Sequence, residues 1–192
     1  MSTTRLEAFT DAVLAIILTI MVLELKVPHG TGLEVVRPLL PILASYVLSF
    51  VFIGIYWNNH HHMLHACPRV SGSILWANLH LLFWLSLIPV TTGWMGENHY
   101  AALPAAAYGF VLLMAGLAYL ILEQRIIAVE GEGSLVKRAI GRDWKGKLSP
   151  ALCATAIALA FVSSRIAVAI YAAVAVIWVV PDPRIERVLR GE

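Results

Sequence analysis

Charge is what this chain has least of. Only 14% of its 192 residues are Asp, Glu, Lys or Arg, where an ordinary soluble domain carries about 25%. With 59% hydrophobic residues and a mean hydropathy of +0.78, that scarcity argues against a water-soluble fold and predicts an all-α integral membrane protein. Cysteine is scarce too. Two of them, Cys67 and Cys153, are too few for a disulfide framework, and Cys153 lies inside an apolar run, so neither redox nor zinc-finger chemistry is expected. The net charge is only +2 and no run is basic and aromatic enough for nucleic acid. Nucleophile motifs of the G-x-S-x-G kind and intramembrane aspartyl pairs are missing, so no enzyme and no cofactor site is expected.

What the chain does have is long apolar runs. A membrane helix needs about 20 mostly apolar residues, and residues 6–25, 39–59, 74–95 and 101–122 supply four such stretches. The first holds an acidic residue in its first half, and Glu24 and Lys26 stand where small cleavage-site residues would be, so it is read as a retained span. The run 150–180 has 31 residues, which would make one helix of about 46 Å against a hydrocarbon core of about 30 Å. Such a helix would leave Arg165 deep in lipid at a cost of at least about 2.5 kcal/mol. A turn at Ser163-Ser164-Arg165 avoids this and divides the run into helices over 150–162 and 166–180. The expectation is a single six-helix domain over residues 1–192, with a cytoplasmic linker at 123–149 that is partly helical over 135–140. Ser149-Pro150 reads as an N-cap and first-turn pair opening the fifth helix.

Lys and Arg in short loops mark the cytoplasmic side. Six spans put eleven of them on one side: Arg5, Arg69, the six of the linker (Arg125 to Lys147), and Arg184, Arg187 and Arg190. Only Lys26, Arg37 and Arg165 fall on the other. Both termini are therefore expected in the cytoplasm, in a multi-pass protein of the plasma membrane. The three tail arginines suit anionic lipid headgroups and equally a simple stop-transfer flank. Trp84, Trp94 and Trp178 are placed in or near span ends, as interfacial aromatics.

The first run, "RLEAFTDAVLAIILTIMVLEL", raises a question of its own, because Asp11 stands inside it. At about 100° per residue, Arg5, Phe9, Ala12, Ile16, Thr19, Ile20, Leu23 and Val27 fall on or near one stripe, with Asp11 roughly opposite Ile16. Asp11 is about 7.5 Å into the span, where a carboxylate needs a partner. "GIYWNNHHHMLH" ends the second span and "LWANLHLLFW" begins the third at that level. A polar cluster is expected there, joining Arg5, Thr10 and Asp11 to Trp57, Asn58, His61, Asn78 and His80. Within the run His60 to His65, the pairs His61/His65 and His62/His65 have metal-compatible helical spacing. No Cys or carboxylate completes a ligand set, so packing on Trp57 and hydrogen bonding to the cluster are preferred to a metal.

These residues carry a resemblance. "RLEAFTDAVLAIILTIMVLEL" is similar to the first-helix signature of the transmembrane protein 175 family of potassium channels, an Arg, three residues, then Phe-Ser-Asp. Arg5, Phe9 and Asp11 stand at the matching positions, and Thr10 keeps the hydroxyl of the usual serine. "IYWNNHHHMLH" and "LWANLHLLFWLSLIPVTTGWMGE" resemble the family's second and third helices. The resemblance implies a potassium-permeable channel without a pore loop. Bacterial members assemble as homotetramers around a pore lined by first helices, so further copies of the chain, the lipid bilayer, K⁺ and other monovalent cations are the implied partners. The constriction isoleucine lies five residues after the Asp, which here is Ile16; Thr19, Ile20 and Leu23 follow along the pore. A ring of branched apolar side chains closes a narrow pore by dewetting, and hydroxyls replace part of an ion's hydration shell. Glu24, and Glu34 in the outer loop, could draw cations to the outer mouth, and ordinary interfacial solvation accounts for Glu24 nearly as well.

Two other classes share some of these features. A proton-coupled secondary transporter also places Asp and His within the membrane, but usually with broken helices, and no Gly or Pro stands between Arg5 and Val27. A non-conducting membrane scaffold needs only helix packing.

Overall fold

The computed structural model describes residues 2–65, 67, 69–131, 134 and 144–179, and every regular element among them is helical. Helix α1 spans Thr3–Leu23. Two short 3-10 turns, Leu33–Val35 and Arg37–Leu39, lead into α2, Leu40–His65. Then come α3 (Gly72–Ser86), α4 (Ile88–Glu97), α5 (Ala102–Glu130), α6 (Trp144–Ala160) and α7 (Ser164–Val179). Four helical rods, Thr3–Leu23, Leu33–His65, Gly72–Glu97 and Ala102–Glu130, are long and apolar enough to cross a membrane. The remaining pair, α6 and α7, forms a shorter apolar hairpin that turns at Phe161 to Ser163. Arg165 is exposed in the first turn of α7, which removes the buried charge that one long helix would create.

The third rod is not one helix. It breaks at Leu87, two residues before Pro89, because proline has no N–H to continue the ladder and crowds the carbonyl four residues back. Thr92 Oγ1 donates to the Ile88 carbonyl at 2.6 Å and Thr91 Oγ1 to that of Leu87 at 3.1 Å, so hydroxyls serve the carbonyls around the break. Trp84 consequently sits near the middle of the rod, not at a span end, while Trp178 occupies the last turn of α7.

Two helices run past the expected ends. The polar His-rich segment carries α2 on to His65, and α5 continues to Glu130, where Gly131 at φ 74° ends it; glycine takes that left-handed conformation without steric cost. Apolarity marks where lipid ends, whereas the helix itself stops only where a breaker intervenes. Pro150 corrects a second expectation. It lies inside α6, which begins at Trp144, and Ser149 is no N-cap. The Ser149 hydroxyl donates to the Lys145 carbonyl at 2.8 Å and accepts the Trp178 indole N–H at 2.7 Å. It ties the turn before the proline and fastens α7 to α6. Residues 135–140 and the tail from 181 onward lie outside the described residues.

The core gathers around α5, whose buried Ala105, Ala115 and Ala118 bring neighbouring helices close. Small residues at such contacts are how membrane helices approach one another. A Cβ on Gly109 would overlap the Tyr171 ring of α7, and Tyr171 Oη donates to the Ala105 carbonyl at 3.2 Å. At the same end of α5 Tyr100 Oη donates to the Pro41 carbonyl at 2.7 Å, joining the approach to α5 to the start of α2.

Candidate functional site: the two faces of the first helix

One face of α1 is spent on the bundle. Leu6, Thr10, Leu14, Ile17 and Met21 are buried at spacings of three or four residues, the repeat of a helical stripe. Among the described residues nothing covers the opposite face. Phe9 is 49%, Ile16 58%, Ile20 43% and Leu23 77% exposed, whereas Ile17 is 3% exposed. Arg5, Ala12 and Thr19 are exposed along the same stripe. The Thr19 hydroxyl donates to the Ala15 carbonyl at 2.8 Å, so its proton is occupied and its oxygen lone pairs remain for a cation or water.

The buried face is held by polar groups near the start of the helix. Asn78 of α3 is fully buried and stands between α1 and α2. Its Nδ2 donates to Thr10 Oγ1 at 3.0 Å, and its Oδ1 lies 2.7 Å from His60 Nε2. With the amide oriented to donate to Thr10, Oδ1 is the acceptor, so His60 must carry its proton on Nε2. Asp11 Oδ1, on the rim of the buried face, accepts the indole N–H of Trp57 at 3.0 Å. Thr3 Oγ1 also donates to the Cys67 carbonyl at 3.1 Å, pinning the helix start to the segment after α2.

The cluster differs in membership from the sequence expectation. Thr10, Asp11, Trp57 and Asn78 come together, but the histidine among them is His60, not His61. His61 is exposed and stacks on Trp57, with centroids 6.4 Å apart, and on His65 at 6.1 Å. His80 lies elsewhere and accepts the Trp84 indole N–H at 2.9 Å. Arg5 and Asn58 are exposed and, among the described residues, stand outside the cluster's hydrogen bonds, so Asp11 is held by an indole rather than an ion pair. A wheel of α2 contained the signal for His60, since it shares a stripe with buried Ile53 and Leu64 at offsets of seven and four residues. Among the described residues no group of three or more His, Cys, Asp or Glu side chains is arranged to hold a metal.

A second polar junction had no counterpart in the sequence reading. Ser49 Oγ lies 2.7 Å from Thr92 Oγ1 and 3.0 Å from Tyr108 Oη, joining α2, α4 and α5 through buried hydroxyls. At the C-terminal end of α1, Lys26 Nζ donates to Glu97 Oε1 at 2.7 Å. Glu24 turns toward α4, with Oε2 3.4 Å from where a Cβ on Gly93 would sit. Glu34 lies in the first 3-10 turn.

Rods long enough to span a membrane, joined by buried polar clamps and leaving one face of the first rod open, define a multi-pass all-α membrane protein. Residues 5–89 match the family described as endosomal/lysosomal potassium channel TMEM175. A potassium channel of Chryseobacterium sp. is 53% identical over 97% of this chain and 97% of its own length. One from Streptomyces collinus is 33% identical over 60% of each chain. The crystal structure of a lysosomal potassium-selective channel TMEM175 homolog from Chamaesiphon minutus superposes with a TM-score of 0.78 at 28% identity, covering 92% of this chain and 96% of that one. The chain belongs to the TMEM175 family, a family of ion channels and not of enzymes.

Proposed function

We propose that this protein is a potassium-permeable cation channel, passive and without cofactor, whose pore is lined by the open face of α1 from several copies of the chain. The observation that carries the reading is the contrast between adjacent isoleucines, Ile17 at 3% and Ile16 at 58% exposure. One helix cannot enclose a pore, so oligomerisation is required, and a homotetramer follows from the family resemblance. In that assembly Ile16 forms the dewetted constriction, and Thr19, Ile20 and Leu23 continue the path. The Thr10–Asn78–His60 and Asp11–Trp57 contacts set the rotation of α1 that presents Ile16 to the axis. Glu24 and Glu34 add negative potential at the outer mouth, which raises the local concentration of cations.

The distribution of Lys and Arg supports both termini in the cytoplasm of a plasma-membrane protein. Tags at either end are expected to be reached from the cytoplasm alone, and a reporter at Ser164 from outside; a C-terminal tag labelled from outside contradicts this topology. Conduction is tested by reconstitution into a bilayer with K⁺ and Na⁺ on opposite sides. The expected result is a passive, cation-selective current that favours K⁺. Saturating flux strictly coupled to a proton gradient would identify a secondary transporter, and electrical silence of the assembled protein a scaffold.

A further inference from the structure

At the C-terminal end of α1, on the side that faces α4, the bundle leaves a space. A cavity of about 370 Å³ lies there, between the end of α1, the beginning of α2 and the face of α4. That volume falls within the usual range for small-ligand sites, about 300 to 1,000 Å³. Glu24 lines it, its Oε2 3.4 Å from where a Cβ on Gly93 of α4 would sit. The Glu24 carboxylate makes no hydrogen bond or ion pair among the described residues. Glu97, one turn along α4, lines the cavity as well and accepts the Lys26 ammonium. Ser45 adds an oxygen whose proton is taken up by the Ile42 carbonyl at 2.8 Å. Trp94 and Tyr46 supply aromatic walls, and Met21 and Leu25 apolar ones.

We propose that this cavity binds a primary ammonium group carried on a short apolar stem. Two carboxylates against one lysine leave an unbalanced negative charge, which disfavours an anionic guest. The carboxylates and the Ser45 oxygen accept hydrogen bonds, and a primary ammonium brings three donors and no acceptor. Aromatic faces attract a cation, and a methylene stem covers apolar surface while its charged head stays with polar partners. Lys26 already shows the pairing, since it is itself an alkylammonium seated on Glu97. A free amine from the aqueous phase and the ethanolamine headgroup of a phospholipid offer the same chemistry. Either guest would bridge α1 and α4 and brace the end of the first helix.

The test is thermal unfolding of the full-length protein in phosphatidylcholine–phosphatidylglycerol vesicles, titrated with n-butylammonium at constant ionic strength. Tetramethylammonium, which has no N–H, and n-butanol, which has no charge, are the comparisons. A parallel arm replaces part of the phosphatidylcholine with phosphatidylethanolamine and adds no amine. The expected result is a saturable rise in Tm with n-butylammonium, with phosphatidylethanolamine, or with both; the arm that responds identifies the source. Glu24→Gln should raise the half-saturating concentration about tenfold, the effect of losing one charge-assisted hydrogen bond. Glu24→Asp keeps the charge and should retain the response, and Lys26→Gln frees Glu97 and should lower the half-saturating concentration severalfold. No saturable rise in either arm overturns the proposal, as does a rise that tetramethylammonium or n-butanol reproduces or that survives Glu24→Gln unchanged. The readout is stability rather than current, so its failure is distinct from a failure of the channel reading.

Discussion

Ile16 and Ile17 are neighbours of the same composition in the same helix, and they have opposite surroundings. Ile17 is 3% exposed, against α1's own bundle, while Ile16 is 58% exposed on the other side. One step of about 100° separates the two. The comparison extends along the helix. The buried face combines close-packed aliphatics with a threonine hydrogen-bonded to Asn78, and the open face offers branched apolar side chains and one hydroxyl oxygen. Apolar composition alone does not distinguish a packed face from an open one. What distinguishes them is whether polar groups from the same chain clamp the face in place.

The largest effect expected from this contrast is on stability, at Ile17. Ile17→Asn removes a buried aliphatic side chain and leaves an amide without a partner, at a cost of about 3 to 5 kcal/mol. Ile16→Asn should cost less than about 1 kcal/mol, because its site in the chain is open. Denaturant or thermal unfolding of the two purified variants checks the difference, and equal losses would break the comparison. Asn78→Ala comes next. It deprives Thr10 and His60 of a shared partner, but hydrogen bonds between membrane helices average only about 0.6 kcal/mol each, so the expected loss is about 1 to 2 kcal/mol. The smallest effect belongs to Asp11→Ala. A dry, ion-paired carboxylate would be worth about 3 to 5 kcal/mol, but Asp11 is exposed and bonded to an indole, which reduces the expectation to about 1 kcal/mol or less. An Asp11→Ala loss larger than that of Asn78→Ala, in the same unfolding assay, would reverse the ranking of the two clamps.

The division of α1 into two faces was legible because a helix without Gly or Pro has a fixed rotation per residue, and its stripe can be drawn from spacing alone. The partners of the buried face were legible only in part. Thr10 and Asn78 could be matched by depth, but five consecutive asparagine and histidine positions in α2, Asn58 to His62, offered several rotations, and the rotation that buries His60 follows from packing Ile53 and Leu64. Helix ends were missed where the segment stayed helical after it stopped being apolar, as at His65 and Glu130. Pro150 gave the wrong signal because a proline in a helix interior looks, in sequence, like one in the first turn. The hydroxyl junction of Ser49, Thr92 and Tyr108 could not be foreseen, since each residue is unremarkable alone and their meeting depends on how α2, α4 and α5 cross.

Permeation through the Ile16 variant tests the central claim most directly, namely that the open face of α1 lines the ion path. In Ile16→Asn each copy of the constriction would carry an amide that keeps water in place and lowers the barrier to hydrated cations. Single-channel current and reversal potential, with K⁺ and Na⁺ on opposite sides of the bilayer, are compared for wild type and the assembled variant. The account predicts a larger conductance and a reversal potential shifted toward zero, as the preference for K⁺ weakens. An assembled Ile16→Asn protein with wild-type conductance and wild-type ion preference would contradict it, and the open face of α1 would then be a contact surface rather than a pore.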